Sequence, residues 1–309
     1  MGATMTARLG LGLAALGRPA YIATGRGDDL GDTRDEQALE RRTLEVLDRA
    51  WASGIRYFDA ARSYGIAERF LGTWLRTRGP LDGVIIGSKW GYRYTGDWRM
   101  DAPVHEVKDH SLSAFERQWP ETLRELGRAP DVYLVHSVTP ESPVLTDSTL
   151  LDRLAALAAE GVRIGISTSG PRQGDVLEAA LATPDSPFSA VQATWNLLER
   201  SAAPALQAAH DSGWLVVVKE SFANGRLTAR GDTPALRRIA EERGSTPEAL
   251  ALGAVLAQEW ADIALTGAVT AEQVAENAEA VPVAVDAELD ALRVEPIRYW
   301  ADRSARSWS

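Results

Sequence analysis

Cysteine is absent from the 309 residues, which excludes disulfides, thiolate metal sites and a cysteine nucleophile. Histidine is nearly as scarce, with four copies. His105, His110 and His210 stand at no metal-ligand spacing with acids, so no metal is expected. No stretch approaches the roughly eighteen apolar residues that a membrane-spanning helix needs. The apolar run over 9–16 is interrupted by Gly and Ala, lacks a basic lead and meets Gly17-Arg18-Pro19 at once, which argues against a secretory signal. A soluble, cytoplasmic protein is the expectation. Positive charge is also short: 33 Lys and Arg against 43 Asp and Glu give a net charge of −10. That balance opposes broad attraction to nucleic acid or anionic lipid, while local basic clefts stay open.

What the chain has is apolar content, 45% of its residues, enough to bury a large core. Short apolar runs alternate with amphipathic stretches along most of its length. The runs at 55–58, 84–87, 132–135, 162–166, 190–193, 214–218 and 263–265 read as strands, and a further short run begins at Arg8. Helical spacing fills the gaps, at 40–52, 66–76, 111–126, 150–159, 174–181, 203–211, 236–242, 247–258 and 271–280. Gly10-Leu11-Gly12 matches a loose dinucleotide fingerprint, but the Gly/Asp-rich stretch that follows reads as loop where such a fingerprint must open a helix. Strands apolar on both faces and alternating with helices predict a parallel sheet covered by helices. About eight such units predict one closed (β/α)8 TIM barrel spanning 1–309, with 286–309 as a C-terminal tail.

In such a barrel the chemistry sits where the strands end. Asp59, Lys89, His136, Ser167, Gln192 and Lys219 all fall at or just beyond the ends of predicted strands. The stretch Phe58-Asp59-Ala60-Ala61-Arg62-Ser63-Tyr64-Gly65 adds a phenol to the first of these. Together with Ser88-Lys89-Trp90-Gly91, Val135-His136, Val191-Gln192, Thr266-Gly267 and Glu276-Asn277, it resembles the aldo-keto reductase family over most of the chain, from Leu9 to about Ala280.

The resemblance implies a catalytic tetrad of Asp59, Tyr64, Lys89 and His136 and an NAD(P)-dependent oxidoreductase that reduces an aldehyde or ketone. A nicotinamide would pass hydride to the carbonyl carbon, and an acid must then protonate the developing alkoxide. A free phenol, with a pKa of about 10, is a poor acid at neutral pH. Lys89 would make Tyr64 a better one, Asp59 would hold Lys89, and His136 would bond the substrate oxygen.

Cofactor contacts are implied at Ser167 and Gln192 for the carboxamide and at Gly267, Gln273, Glu276 and Asn277 for the adenosine end. Between them Lys219, Glu220, Ser221, Phe222, Asn224 and Gly225 form the expected pyrophosphate loop, with Arg230 as its charge partner and Arg226 as the competing candidate. Lys219 departs from the family, which commonly stacks an aromatic ring on the nicotinamide there. Val269 and Thr270 stand where NADP-preferring relatives often carry a basic residue. NADPH is the implied cofactor and NADH the alternative.

Trp90, Trp98 and Trp195, three of ten tryptophans, are expected to line an apolar substrate pocket. The seven residues before Arg8 are too few for the β-hairpin that floors the family's barrels, so another segment must serve. The tail, with Tyr299, Trp300 and Trp308, is read as floor cover, mobile tail or substrate lid, the lid ranking last. Competing functions are an NAD-dependent alcohol or sugar dehydrogenase on the same site, a cofactor-binding barrel with little turnover, and a Schiff-base lyase using Lys89.

Overall fold

Strand β1 (Leu9–Gly12) pairs in parallel with both β2 (Tyr57–Asp59) and β10 (Ile263–Thr266), and this double pairing closes the sheet. The computed structural model describes residues 8–21, 29–30 and 34–306. Around the closed sheet the order continues through β3 (Ile85–Trp90), β6 (Val132–Val138), β7 (Arg163–Thr168), β8 (Phe188–Thr194) and β9 (Leu215–Lys219), eight parallel strands in all. This is the (β/α)8 barrel that the alternation predicts.

The helices that clothe it are α1 (Glu36–Ala52), α2 (Ala67–Arg78), α3 (Leu112–Leu126), α4 (Ser148–Ala159), α5 (Gln173–Leu181), α6 (Ala203–Asp211), α7 (Pro234–Glu242), α8 (Pro247–Leu256) and α9 (Ala271–Ala278). Their starts follow capping chemistry more closely than periodicity. α1 begins four residues before the expected 40 because the Asp35 carboxylate accepts a 2.8 Å bond from Ala38 N. Ser111 caps α3 in the same way, and Gly127, at φ 76°, ends it in a left-handed turn.

Several strands run further than the sequence suggests. Apolar periodicity stops at the first polar residue, whereas parallel pairing carries on through Lys89↔Leu134, Ser167↔Gln192 and Thr194↔Lys219. The aromatic loop after β3 contains an antiparallel pair, β4 (Tyr92–Tyr94) with β5 (Glu106–Lys108), which was not expected.

Two apolar layers result. The larger lies between strands and helices, and the smaller fills the barrel itself with Tyr57, Val132, Leu134, Val217, Ile263 and Leu265. Tyr57 is the plug. A methyl group at Gly10 would lie 2.7 Å from Leu265 and 3.1 Å from the Tyr57 ring, and one at Gly87 would collide with the Tyr57 hydroxyl. Below it, Arg8 ties the start of β1 to the carbonyls of Leu256 (2.8 Å) and Gln258 (2.7 Å).

The tail goes to the opposite end. α10 (Ala287–Asp290) is fixed by Arg200, which bonds Asp290 at 2.8 Å, and α11 (Pro296–Ser304) crosses to the mouth, where the C-terminal ends of the strands open. Its described residues therefore cover no floor. Trp308 lies outside the described residues.

Candidate active site

At the mouth, β2 and β3 bring Asp59 and Lys89 together, 2% and 0% exposed. The Lys89 ammonium donates to Asp59 Oδ2 at 2.5 Å and to the Ala60 carbonyl at 2.9 Å. Gln192, on β8, donates to the other carboxylate oxygen at 2.9 Å, so Asp59 is bonded from both sides. The ammonium also faces the Tyr64 ring, 4.9 Å from its centroid. Burial lowers the proton affinity of Lys89, and the Asp59 carboxylate opposes that loss.

His136 sits edge-on to the same ring, centroids 5.5 Å apart, at the end of β6. A register shift between Val135 and Val138 and a left-handed Ser137 (φ 54°) turn the strand at this point. Ser167 Oγ accepts from Ser137 N at 2.9 Å, while the His136 carbonyl accepts from His110 Nε2 at 2.8 Å. A carbonyl can only accept, so His110 carries its proton on Nε2 and its Nδ1 accepts from Ser142 at 2.7 Å. Burial brings the His110 pKa down to about 4, consistent with that neutral ring. Burial, then the charge of Lys89, pushes His136 well below the usual histidine range and keeps it neutral too. Tyr64 is pushed well above the usual phenol value by burial and by the Asp59 carboxylate, so it holds its proton.

These groups open on one cavity of about 430 Å³. Asp59, Tyr64 and His136 line it, and Lys89 lies behind them. Of the residues singled out for the cofactor, all but the fully buried Ser167 and the competing candidate Arg226, which pairs with Asp232 at 3.2 Å, are on its wall. Ser221 Oγ donates to the Leu265 carbonyl at 2.9 Å, and Asn277 Nδ2 to Thr266 Oγ1 at 2.6 Å. Gln273 and Arg230 both bond the Asp29 carboxylate, at 2.9 and 2.5 Å. Asn224, left-handed at φ 56°, has a buried Oδ1 with no bonding partner.

Glu220 is also left-handed, at φ 57°. Its carboxylate is gripped by Arg303 of α11 at 2.5 and 2.9 Å. Burial opposes ionisation of Glu220, but Arg303 and Lys219 hold its pKa below the ordinary value. Lys219 itself is half-buried, and burial brings its pKa down to about 8.

The tryptophans lie elsewhere. Trp90 is fully buried against Phe115 behind β3, Trp195 packs edge-on to Trp260, and Trp98 donates to the Arg34 carbonyl at 3.0 Å. None of them lines the cavity. Its rings are those of Tyr21, Tyr64, Tyr92 and Phe222. Sequence reasoning missed Tyr21, Tyr92, Arg18, Glu106 and Arg303, all of which line the cavity from loops, the β4–β5 pair or the tail.

A parallel barrel with a buried Lys–Asp pair, a phenol and an imidazole around one mouth defines a class: a (β/α)8 barrel with its polar side chains gathered where the strands end. Residues 8–293 match the Aldo/keto reductase family, and the chain belongs to it. It is an oxidoreductase of that family. Among relatives, the aldo-keto reductase str7 of Strobilurus tenacellus is 23% identical, with 96% of this chain and 90% of the relative covered. The D-threo-aldose 1-dehydrogenase of a Pseudomonas species is 28% identical, over 79% of this chain and 75% of its own. The solved structure of the aldo-keto reductase AKR11C1 from Bacillus halodurans shares the fold, with a TM-score of 0.66, 21% identity and coverage of 96% and 91%. Among the described residues no helix is long and apolar enough to cross a membrane, and no group of three His, Cys, Asp or Glu side chains could hold a metal.

Proposed function

We propose that the protein reduces the carbonyl of a small aldehyde or ketone with a nicotinamide dinucleotide, and that Tyr64 donates the proton. The observation that carries this reading is geometric: on one wall the Tyr64 phenol and the His136 imidazole meet edge-on, centroids 5.5 Å apart, and the buried Lys89 ammonium lies 4.9 Å from the centroid of the phenol ring. The cofactor supplies the hydride. As negative charge grows on the substrate oxygen, His136 bonds that oxygen and Tyr64 releases its proton to it. Lys89, fixed by Asp59, then faces the ring that carries the phenolate charge. Lys89 is a poor nucleophile for a lyase, because its ammonium is buried, bonded to Asp59 and Ala60, and off the cavity wall.

The donor set suits a dinucleotide. The unpartnered Asn224 Oδ1 calls for a donor from a ligand, and Lys219 brings a positive charge to the same wall. Gln192, on the wall, is placed to meet the carboxamide and also holds Asp59, whereas Ser167, buried off the wall, supports the His136 segment through Ser137. NADPH follows from the family resemblance. The carboxylates of Asp29, Glu248 and Glu276 on the same wall favour NADH, since a 2′-phosphate would add negative charge beside them.

Tryptophan-fluorescence titration with each cofactor, followed by single-turnover reactions against a panel of aldehydes, ketones and alcohols, tests the proposal. Oxidation of bound NADPH or NADH by carbonyls supports it. Tight cofactor binding with no hydride transfer in either direction would favour a binding barrel instead.

A further inference from the structure

Arg18 lies on the turn after β1, 2% exposed, with its guanidinium carbon 5.2 Å from the Tyr64 ring centroid and 5.2 Å from that of Tyr21. Its Nη1 donates to Glu106 at 2.5 Å and to the Ser63 carbonyl at 3.0 Å, and its Nε to the Ala14 carbonyl at 3.2 Å. The backbone fixes this placement. Gly17 O accepts from Ile66 N at 2.8 Å, and a methyl group at Gly17 would strike the Tyr64 carbonyl. Gly65, at φ 60°, has no room for a side chain beside Gly17 and Arg18. Two glycines thus press the Arg18 segment onto the Tyr64 segment.

Building on the proton transfer assigned to Tyr64, we propose that Arg18 is a positioning residue for it, holding a positive charge against the phenol so that the oxygen can release its proton to the substrate. Glu106, on β5, sets how much of that charge the phenol feels. The step balances simply: the Tyr64 O–H bond breaks, an O–H bond forms on the substrate oxygen, and the phenolate charge is shared between the fields of Arg18 and Lys89. The other charged or titratable groups facing this ring are Asp59, His136, Tyr21 and Glu106. Both Asp59 and Glu106 oppose ionisation of the phenol, and Arg18 favours it.

The test is single-turnover hydride transfer in Arg18→Met, Arg18→Lys and Glu106→Gln, each with Tyr64 or a more acidic fluorotyrosine at position 64. Arg18→Met should slow the step about tenfold, the equivalent of one pKa unit on the phenol, with cofactor affinity within about twofold of wild type. Fluorotyrosine should recover most of that loss, which a merely structural defect would not allow. Arg18→Lys should keep most of the rate, and Glu106→Gln should raise it by exposing the full charge of Arg18. A loss in Arg18→Met that fluorotyrosine leaves untouched, no loss at all, or a fall in Glu106→Gln would overturn the inference. Should Arg18→Met not fold, the rate retained in Arg18→Lys and the rise in Glu106→Gln still decide it: a loss of about tenfold in the first or a fall in the second would overturn the inference. A wild type without carbonyl reduction, or Tyr64→Phe at full rate, would instead remove the reading beneath it.

Discussion

Burial makes Tyr64 a weaker acid than free tyrosine, and the chemistry needs a stronger one at the moment of transfer. The two demands are compatible because the surrounding charges act on different states. In the mechanism proposed above the phenol keeps its proton before reaction, and once charge develops on the substrate oxygen Lys89 and Arg18 would stabilise the phenolate left behind. Lys219 gives a second residue-scale consequence. With a pKa of about 8 in the free protein, it is charged below that pH and neutral above it. Anion binding raises a lysine pKa, so binding takes up a proton, and affinity for the cofactor diphosphate should fall as pH rises through about 8. Lys219→Met should bind more weakly at pH 7 and lose this dependence, as read by fluorescence titration across pH 6.5 to 9.5. That Asp59, Lys89 and His136 gather at one mouth was legible because each closes or follows an apolar strand, where a polar side chain stands out, and Tyr64 was legible as the phenol five residues past Asp59. Arg18 and Glu106 were not, because an arginine in a turn and a glutamate in a loop look like solvated residues until the fold brings them together 88 positions apart.

Among the elements, the barrel strands and most helices could be read from periodicity, and what escaped was set by distant partners. The β4–β5 pair depends on Tyr92 meeting Lys108 and Tyr94 meeting Glu106, a register no local pattern announces. The place of α11 depends on distant partners: Arg303 pairs with Glu220, Arg306 just past the helix pairs with Asp232, and the buried Tyr299 has its hydroxyl 3.1 Å from Asn196 Nδ2. The tryptophans misled for the same reason: bulk and sequence proximity to a catalytic residue do not say which side of a strand a ring occupies. The tail helix thus braces the loop that follows β9. Arg303→Met would leave the Glu220 carboxylate, 7% exposed, without its main partner and should cost about 2–3 kcal/mol in urea unfolding. Cofactor affinity should drop with it. Adding Glu220→Gln should return part of the stability, and a double variant no better than Arg303→Met would contradict the clamp.

For the molecule as a whole, the barrel's interior sets the height at which the site begins. Tyr57 fills the space beneath Asp59, and glycines at 10 and 87 clear its ring. Gly87→Ala should destabilise the fold by about 1–3 kcal/mol through overpacking. The Tyr57 hydroxyl is buried with no bonding partner, so Tyr57→Phe should cost little and should rescue much of Gly87→Ala. Thermal unfolding of the two single variants and the double variant would check both. Acid should also act globally: His110, neutral in the fold with a pKa of about 4, must gain a proton on unfolding below its ordinary 6.5. Its share of stability is therefore present above pH 6.5, is lost as pH falls towards 4, and amounts to at most about 3–4 kcal/mol. Denaturant midpoints from pH 7 to 4 should decline less steeply in His110→Gln than in the wild type.

The central claim is that Tyr64 hands its proton to the substrate in the cavity it shares with the residues proposed to hold the cofactor. Stopped-flow hydride transfer and fluorescence titration of Tyr64→Phe, run side by side with the wild type, address it most directly. Loss of transfer by about a hundredfold or more, with cofactor dissociation constants within about twofold, is the predicted result. A variant that transfers hydride at near wild-type rate would contradict it.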